Sequence, residues 1–305
     1  MILVTGGSGM IGQAFREVDI NEEIVLLSSQ ICDLRNKCET YELFEHLKPN
    51  SVIHLAAKVG GIQANMNYMA EFYSDNILIN THVLEASKRS NVKKVVSLLS
   101  TCVYPDDVSY PLTEDQIHNG QPHSSNFAYA YAKRMLDVQS RAYRQQYGCN
   151  FITAVPNNLF GENDNYHLEN SHVIPAIMHK MFKAKDKVQL WGDGSSLREF
   201  TYSFDLARIL LFLLENYEDP TPINVGNTNE FSIREIAYKI KEFMGFNGEI
   251  EWDTTKPAGQ FRKPSCTEKL RSLGWSSIDY TPFDAALEGS CNWFKSNYPN
   301  VRGAQ

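Results

Sequence analysis

Apolar residues in this chain fall into short, nearly continuous runs separated by longer stretches with helical spacing. Ile2–Val4, Ile24–Leu27, Ser51–Leu55, Lys94–Leu99 and Asn150–Val155 read as strands buried on both faces. Between them, Glu39–Leu47, roughly Tyr68–Ser90, and Asn126 to about Tyr147 carry the spacing of helices. This alternation predicts an α/β fold: a doubly wound parallel sheet, Rossmann-type, followed by a smaller C-terminal α/β lobe. The expected division is 1–160, with returns from about 200–226, and 161–305. Beyond Pro156 the pattern loosens through 157–172. It then suggests a helix near Ile174–Ala184, a strand at Val188–Trp191 and a helix from Asp205 through Glu215. A strand at Ile223–Val225, a Ser232-capped helix to Met244, a strand at Glu249–Trp252, the basic loop Lys256–Lys263 and two short helices follow.

The first strand runs straight into Gly6-Gly7-Ser8-Gly9-Met10-Ile11-Gly12, with a helix through Gln13–Arg16 expected next. A glycine-rich turn between strand and helix lets backbone N–H groups approach a pyrophosphate. The spacing Gly6-x-x-Gly9-x-x-Gly12 is weak alone; as the first βα turn of an alternating pattern it marks a dinucleotide site. The second strand ends at Ser28-Ser29, where an NAD binder places a carboxylate for the ribose. Hydroxyls tolerate a 2′-phosphate that a carboxylate repels, so NADP(H) is expected. Asp33-Leu34 reads as an adenine-side contact or a solvated loop. The small residues of Ala56–Gly61 let backbone pass close to a ligand, and Asn76 sits within the long helix after them.

The fourth strand delivers Ser100-Thr101-Cys102 to the sheet edge where open parallel sheets bind ligands. Tyr129 and Lys133, four apart on the next helix, share a face. A phenol of pKa ~10 is a poor catalyst at neutral pH, and a neighbouring ammonium is expected to lower it. Tyr-x-x-x-Lys also occurs on ordinary amphipathic helices, so the pair counts only beside a cofactor turn.

With 43% hydrophobic and 21% charged residues the chain reads as soluble and globular. A net charge of −7 argues against a nucleic-acid partner. The apolar run Leu206–Leu214 contains Arg208 and is too short to span a bilayer, and the strand-like Met1–Thr5 sets the expectation of no basic leader or signal peptide. Cys32, Cys38, Cys102, Cys149, Cys266 and Cys291 have neither disulfide-scaffold density nor metal-ligand spacing. No metal and a reducing, cytoplasmic setting are the expectation.

Taken together, Thr5–Gly12, Leu55-Ala56-Ala57, Asn76, Ser100, Tyr129-x-x-x-Lys133 and Arg198-x-Phe200-x-Tyr202-x-x-Asp205 resemble the extended short-chain dehydrogenase/reductases over most of the chain. Within that family, several blocks resemble the enzymes acting on GDP-4-keto-6-deoxy sugars: Lys58–Gly61, Ser100–Pro105, Asn158–Gly161, Asp164-Asn165, Ser171–Pro175 and Asp253–Lys256. The resemblance implies C3/C5 epimerisation followed by NADPH-dependent reduction at C4. It implies Cys102 and His172 as the proton-exchanging pair, Tyr129 as proton donor to the C4 oxygen, and Ser100 and Lys133 as its companions. It places Gly6, Ser8, Gly9, Met10, Ile11, Gly12, Leu55, Ala56, Ala57, Asn76, Pro156, Asn158, Leu159 and His172 against the cofactor. Asn158, Lys180, Trp191, Arg198 and Lys256 become candidates for the GDP-sugar. A homodimer through the helices of Asn76 and Tyr129 is implied, with Ala132, Leu136 and Ala142 compatible with the contact.

Three departures accompany the resemblance. Asn157 stands where Thr is expected, Glu162-Asn163 replaces Pro-His, and Ser8 occupies a position that is basic in some members. The alternatives are another nucleotide-sugar epimerase/reductase of this architecture, or a cofactor-binding regulator without catalysis. A dehydratase would need a carboxylic acid and base beside Ser100-Thr101, and Cys102-Val103 offers neither.

Overall fold

The computed structural model describes residues 1–168, 170–256 and 261–304. The first half contains β1 (Ile2–Thr5), α1 (Met10–Ala14), β2 (Ile24–Leu27), α2 (Lys37–Leu47), β3 (Ser51–His54), α3 (Ile62–Asn67), α4 (Met69–Arg89), β4 (Lys94–Leu98), α5 (Phe127–Tyr147) and β5 (Phe151–Pro156). The second half contains β6 (Asn158–Phe160), α6 (Val173–Lys183), β7 (Lys187–Trp191), β8 (Leu197–Tyr202), α7 (Ser203–Asn216), β9 (Ile223–Val225), β10 (Glu230–Ser232), α8 (Ile233–Met244), β11 (Glu249–Asp253), α9 (Glu268–Ser272) and α10 (Phe283–Asn297).

The main sheet is parallel throughout, in the order β2-β1-β3-β4-β5-β9. Its strands read as unbroken apolar runs because alternate residues enter different cores. Leu3, Val52, Val95 and Phe151 pack with Phe44, Val83, Leu84 and Leu136 from α2, α4 and α5. Ile2, Val4, Ile53, Val96 and Ile152 pack with Phe15 and with Leu206, Ile209, Leu210 and Leu213 of α7. Leu270 and Trp275 join that second core, so the C-terminal chain returns to the sheet. The winding direction reverses between β1 and β3, which opens a crevice at their carboxyl ends.

A third core lies among α6, α8 and α10, around Tyr166, Met178, Ile236, Leu287 and Phe294. It supports the small sheets β10-β8-β6 and β11-β7. α8 begins in a capping box between Ser232 and Glu235 and ends at left-handed Gly245.

Several boundaries differ from the pattern-based expectation. α1 stops at Ala14 rather than running through Arg16, and α3 precedes α4 as a separate element. β6 lies within the stretch expected to be irregular, and three residues are too few to reveal a period. One of the two terminal helices is long: α10 spans 15 residues. Its buried stripe includes Ala286, Ser290 and Cys291, small side chains that carry little hydrophobic signal. Part of the basic loop Lys256–Lys263, residues 257–260, lies outside the described residues. Among the described residues, no helix is long and apolar enough to cross a membrane.

Candidate active site

β4 ends at Leu98, and Ser100 caps a short 3-10 turn over Thr101–Val103, its Oγ accepting from the Cys102 N–H at 3.4 Å. Two consecutive residues of α5 hold this segment. Lys133 Nζ donates to the Leu98 carbonyl at 2.7 Å, and Arg134 Nε donates to the Val103 carbonyl at 2.6 Å. Successive residues on a helix point about 100° apart, so one reaches the strand end and the next reaches the turn. Tyr129 sits one turn before Lys133, its ring edge-on to Phe72 with centroids 6.2 Å apart. The Lys133 ammonium lies 5.9 Å from the Tyr129 ring centroid. Ser100, Cys102, Tyr129 and Lys133 thus converge.

Burial dominates the electrostatics of this cluster. It raises the Tyr129 phenol well above its ordinary range, and Cys102 adds to that shift. It presses Lys133 down to about 8, with Cys102 pulling the other way. Burial also raises the Cys102 thiol, opposed by the Ser100 hydroxyl and then by the charges of Lys263 and Lys133. The expected lowering of Tyr129 by Lys133 is therefore corrected: the ammonium is turned to the Leu98 carbonyl, and desolvation of the phenolate wins.

Lys263 had no expected role. Its Nζ donates to the Thr101 carbonyl at 2.9 Å, which sets a cation beside Cys102. The neighbouring Arg262 turns the opposite way and pairs with Glu230. The sequence marks this loop as basic, and no local pattern says which cation points inward.

At the first βα turn, Gly6 has φ +73, and a Cβ there would sit 2.9 Å from the Ala56 nitrogen. A Cβ at Gly12 would sit 2.5 Å from the Gly6 carbonyl. A side chain at Gly6 would push the turn off the Leu55-Ala56 backbone, and one at Gly12 would push α1 off the turn. Thr5 Oγ1 accepts from the Leu55 and Ala56 N–H groups and bonds His54 Nδ1, while His54 Nε2 meets Asn80. Buried His54 is pushed down to about 3, by desolvation first and Lys133 second. Ser8, Ser28 and Ser29 line one cleft of ≈ 320 Å³.

Three residues expected at the cofactor also bond within the chain. Asn76 is buried, donates to the Lys58 and Phe72 carbonyls and accepts from the Lys58 N–H, so it shapes the Ala56–Gly61 turn. Leu34 is a core residue whose carbonyl meets His82. Asp33 holds Arg35 through both carboxylate oxygens.

His172 caps α6. Its neighbour is buried Asp164, whose carboxyl burial raises and His172 pulls back down. Among the described residues no hydrogen bond joins His172 to Cys102. The remaining candidates form two groups. Asn158 donates to the Glu199 carbonyl, and half-buried Arg198 donates to the Leu197 and Phe261 carbonyls near Lys263. Lys180 reaches the Gln189 carbonyl at 3.5 Å, and Lys256 Nζ lies 5.8 Å from the ring centroid of exposed Trp191.

Residues 2–226 match the NAD dependent epimerase/dehydratase family. Over 99% of its length the chain is 45% identical to GDP-L-fucose synthase of Dictyostelium discoideum, covering 97% of that protein. The chain belongs to the GDP-L-fucose synthase family. A probable member from Drosophila melanogaster is 40% identical, with 99% of each chain covered. A crystal structure of a GDP-L-fucose synthetase from Naegleria fowleri bound to NADP superposes with a TM-score of 0.94 at 41% identity, covering 99% of this chain and 94% of that one.

The departures from the GDP-L-fucose synthase pattern fall in walls rather than in the cluster. Asn157 is buried, donates to Glu199 and the Asn227 carbonyl, and accepts from Thr201 Oγ1. Glu162 accepts from the Tyr202 hydroxyl at 2.8 Å and lines a separate cleft of ≈ 280 Å³.

Proposed function

We propose that this protein converts GDP-4-keto-6-deoxy-D-mannose to GDP-L-fucose by C3/C5 epimerisation and NADPH-dependent reduction at C4. The observation that carries this reading is the thiol of Cys102 set among Ser100, Tyr129, Lys133 and Lys263. Reduction alone uses a hydroxyl, a phenol and an ammonium. The thiol adds a group that can exchange protons near neutral pH.

The crevice suits NADP(H): a glycine turn that admits a close backbone, serines at positions 8, 28 and 29, and no carboxylate at the end of β2. Gly6–Gly12 and the Leu55–Ala57 turn hold it on one side, and Lys133, Pro156, Asn158 and Leu159 on the other. When bound, NADPH supplies the hydride for C4.

Protons at C3 and C5 are acidic because both carbons flank the C4 ketone. Ser100 and Tyr129 hydrogen-bond the C4 oxygen and stabilise the negative charge that gathers there when either proton leaves. Cys102 and His172 carry out the exchange, one removing a proton and the other returning one to the opposite face. Free thiols and imidazoles titrate at ~8.5 and ~6.5, and in Cys102 burial raises the thiol while the Ser100 hydroxyl and the charges of Lys263 and Lys133 oppose that rise. Lys263 favours the thiolate by its charge. In the reductive step Tyr129 protonates the C4 oxygen, and burial keeps its phenol neutral and protonated until then. Arg198, Lys180 and Lys256 meet the diphosphate, Trp191 stacks on the base, and Asn158 orients the sugar.

The same proposal includes division into residues 1–160 for the cofactor, with returns near 200–226, and 161–305 for the sugar nucleotide. It includes a cytoplasmic homodimer without nucleic-acid or membrane partners. The outer face of α4 and α5 exposes Met69, Tyr73, Leu78 and Val138, a suitable dimer surface. Ala132 and Leu136 are buried within this chain and so form no part of that surface. The decisive experiment incubates the protein with GDP-4-keto-6-deoxy-D-mannose and NADPH and identifies the sugar by NMR. GDP-L-fucose supports the proposal; an unepimerised 6-deoxy sugar or no turnover overturns it.

A further inference from the structure

We infer that Arg16 is the residue that reads the 2′-phosphate of NADP(H), acting from the turn after α1. The inference rests on the cofactor reading above and names the cation that this reading lacks. In this architecture the adenosine ribose lies beside the end of the second strand, where a carboxylate selects NAD and an arginine nearby accommodates NADP. β2 is followed by Ser28-Ser29, and the glycine turn presents Ser8. Serine hydroxyls donate hydrogen bonds but cannot neutralise a phosphate dianion.

Arg16 is on the wall of the ≈ 320 Å³ cleft that also contains Ser8, Ser28 and Ser29. Other cations of this region are already matched. Arg35 is held by Asp33 and faces Asp75, and Lys58 pairs with Asp75 at 2.9 Å. Arg16 makes no salt bridge among the described residues. Its Nε donates to Gln13 Oε1 at 2.9 Å, and Gln13 Nε2 donates to the Gly7 carbonyl at 2.6 Å. The neutral Gln13 thus ties the guanidinium to the glycine turn without using its charge. Gln13 is a positioning residue, and the two Nη groups of Arg16 remain for a planar, bidentate grip on phosphate oxygens. Arg16 also borders the ≈ 280 Å³ cleft containing Glu17 and Glu162, so the rival role is a purely structural cation between two carboxylates.

The test is equilibrium binding, by calorimetry, of NADP⁺ and NAD⁺ to the whole protein and its variants. Arg16 is exposed, so its replacement leaves the core intact. A charge-assisted hydrogen bond is typically worth enough for roughly a 10- to 100-fold change in affinity. Arg16→Gln is expected to weaken NADP⁺ by that factor, leave NAD⁺ within about twofold, and flatten the salt dependence of NADP⁺ binding. Arg16→Lys retains a point charge and loses the planar fork, so its NADP⁺ affinity should fall between the two. Gln13→Ala should lose roughly fivefold for NADP⁺ alone, a fraction of one such bond. Equal weakening of both dinucleotides would establish the structural role and overturn the inference. So would an Arg16→Gln protein that retains the wild-type preference for NADP⁺. If wild type itself binds NAD⁺ as tightly as NADP⁺, the cofactor reading fails first, whatever the Arg16 variants do.

Discussion

The end of β4 and the edge formed by β7 and β11 make two different kinds of site. Around β4, Lys133 and Arg134 are buried and spend hydrogen bonds on backbone carbonyls, which clamps Ser100–Val103 between strand and helix. On the other edge, Trp191 is 60% exposed and Lys256 reaches it only as a cation over a ring. Groups that move protons must be held within a fraction of an ångström, and rigid elements with buried second partners do that. Groups that recognise a base or a diphosphate tolerate slack, because stacking and charge fall off slowly with small displacements. The comparison predicts that substitutions at β4 change rate or product, whereas substitutions at β7 and β11 change apparent affinity.

The largest effect belongs to Tyr129→Phe. It removes the proton donor and keeps the ring that packs on Phe72, so C4 reduction should fall by roughly 10²–10⁴-fold. Proton exchange at C3 and C5, followed by NMR in deuterated water, should persist. Near wild-type reduction by this variant would remove Tyr129 from the chemistry.

Burial beneath the cluster should appear in acid stability. His54 is pushed down to about 3 in the folded chain and returns to ~6.5 when unfolded. Between those values the unfolded state binds a proton that the native state refuses, so stability falls as pH falls. The advantage of wild type over His54→Asn should shrink by about 1.4 kcal/mol per pH unit below ~6.5. Denaturant titrations at pH 7, 6 and 5 check this, and a pH-independent difference would contradict it.

A smaller effect is expected at Lys263→Met. Losing the cation leaves burial of the Cys102 thiol less opposed, so the thiol-controlled limb of the exchange pH profile should move to higher pH. Exchange at pH 7 should slow by roughly 10-fold, one pKa unit's worth. An unmoved profile with slower exchange would reduce Lys263 to a support for the Thr101 carbonyl.

The smallest change should come from the exposed edge. Trp191→Ala should raise KM by roughly 10-fold, the scale of one lost base–aromatic stack, with kcat within about twofold. A large fall in kcat at unchanged KM would erase the distinction between the two regions.

The legible parts of the molecule were those with local signals. Short unbroken apolar runs marked the strands of the main sheet, glycine spacing marked the first turn, and the four-residue interval brought Tyr129 and Lys133 to one face. Asn76 was visible as an oddity within a helix, but only the fold reveals its hydrogen bonds to Lys58, a residue 18 positions earlier. Lys263 was less legible still, since its partner Thr101 lies 162 positions away. Asn157 stands in the sequence only as a departure from an expected Thr, and the fold shows it tying Thr201, Glu199 and Asn227 inside the protein. Long-range hydrogen bonds leave no period in a sequence, and those bonds decide which polar residues face a ligand.

The central claim is that Cys102 exchanges substrate protons, and Cys102→Ser tests it most directly. Serine conserves size and leaves the Ser100–Val103 turn intact, but its hydroxyl is a far weaker acid. With NADP⁺ and the keto sugar in deuterated water, wild type should place deuterium at C3 and C5, and the serine variant should do so far more slowly. With NADPH the variant should release the unepimerised 6-deoxy sugar, because Tyr129 and Lys133 still serve reduction. A folded Cys102→Ser protein that exchanges normally and still yields GDP-L-fucose would contradict the account.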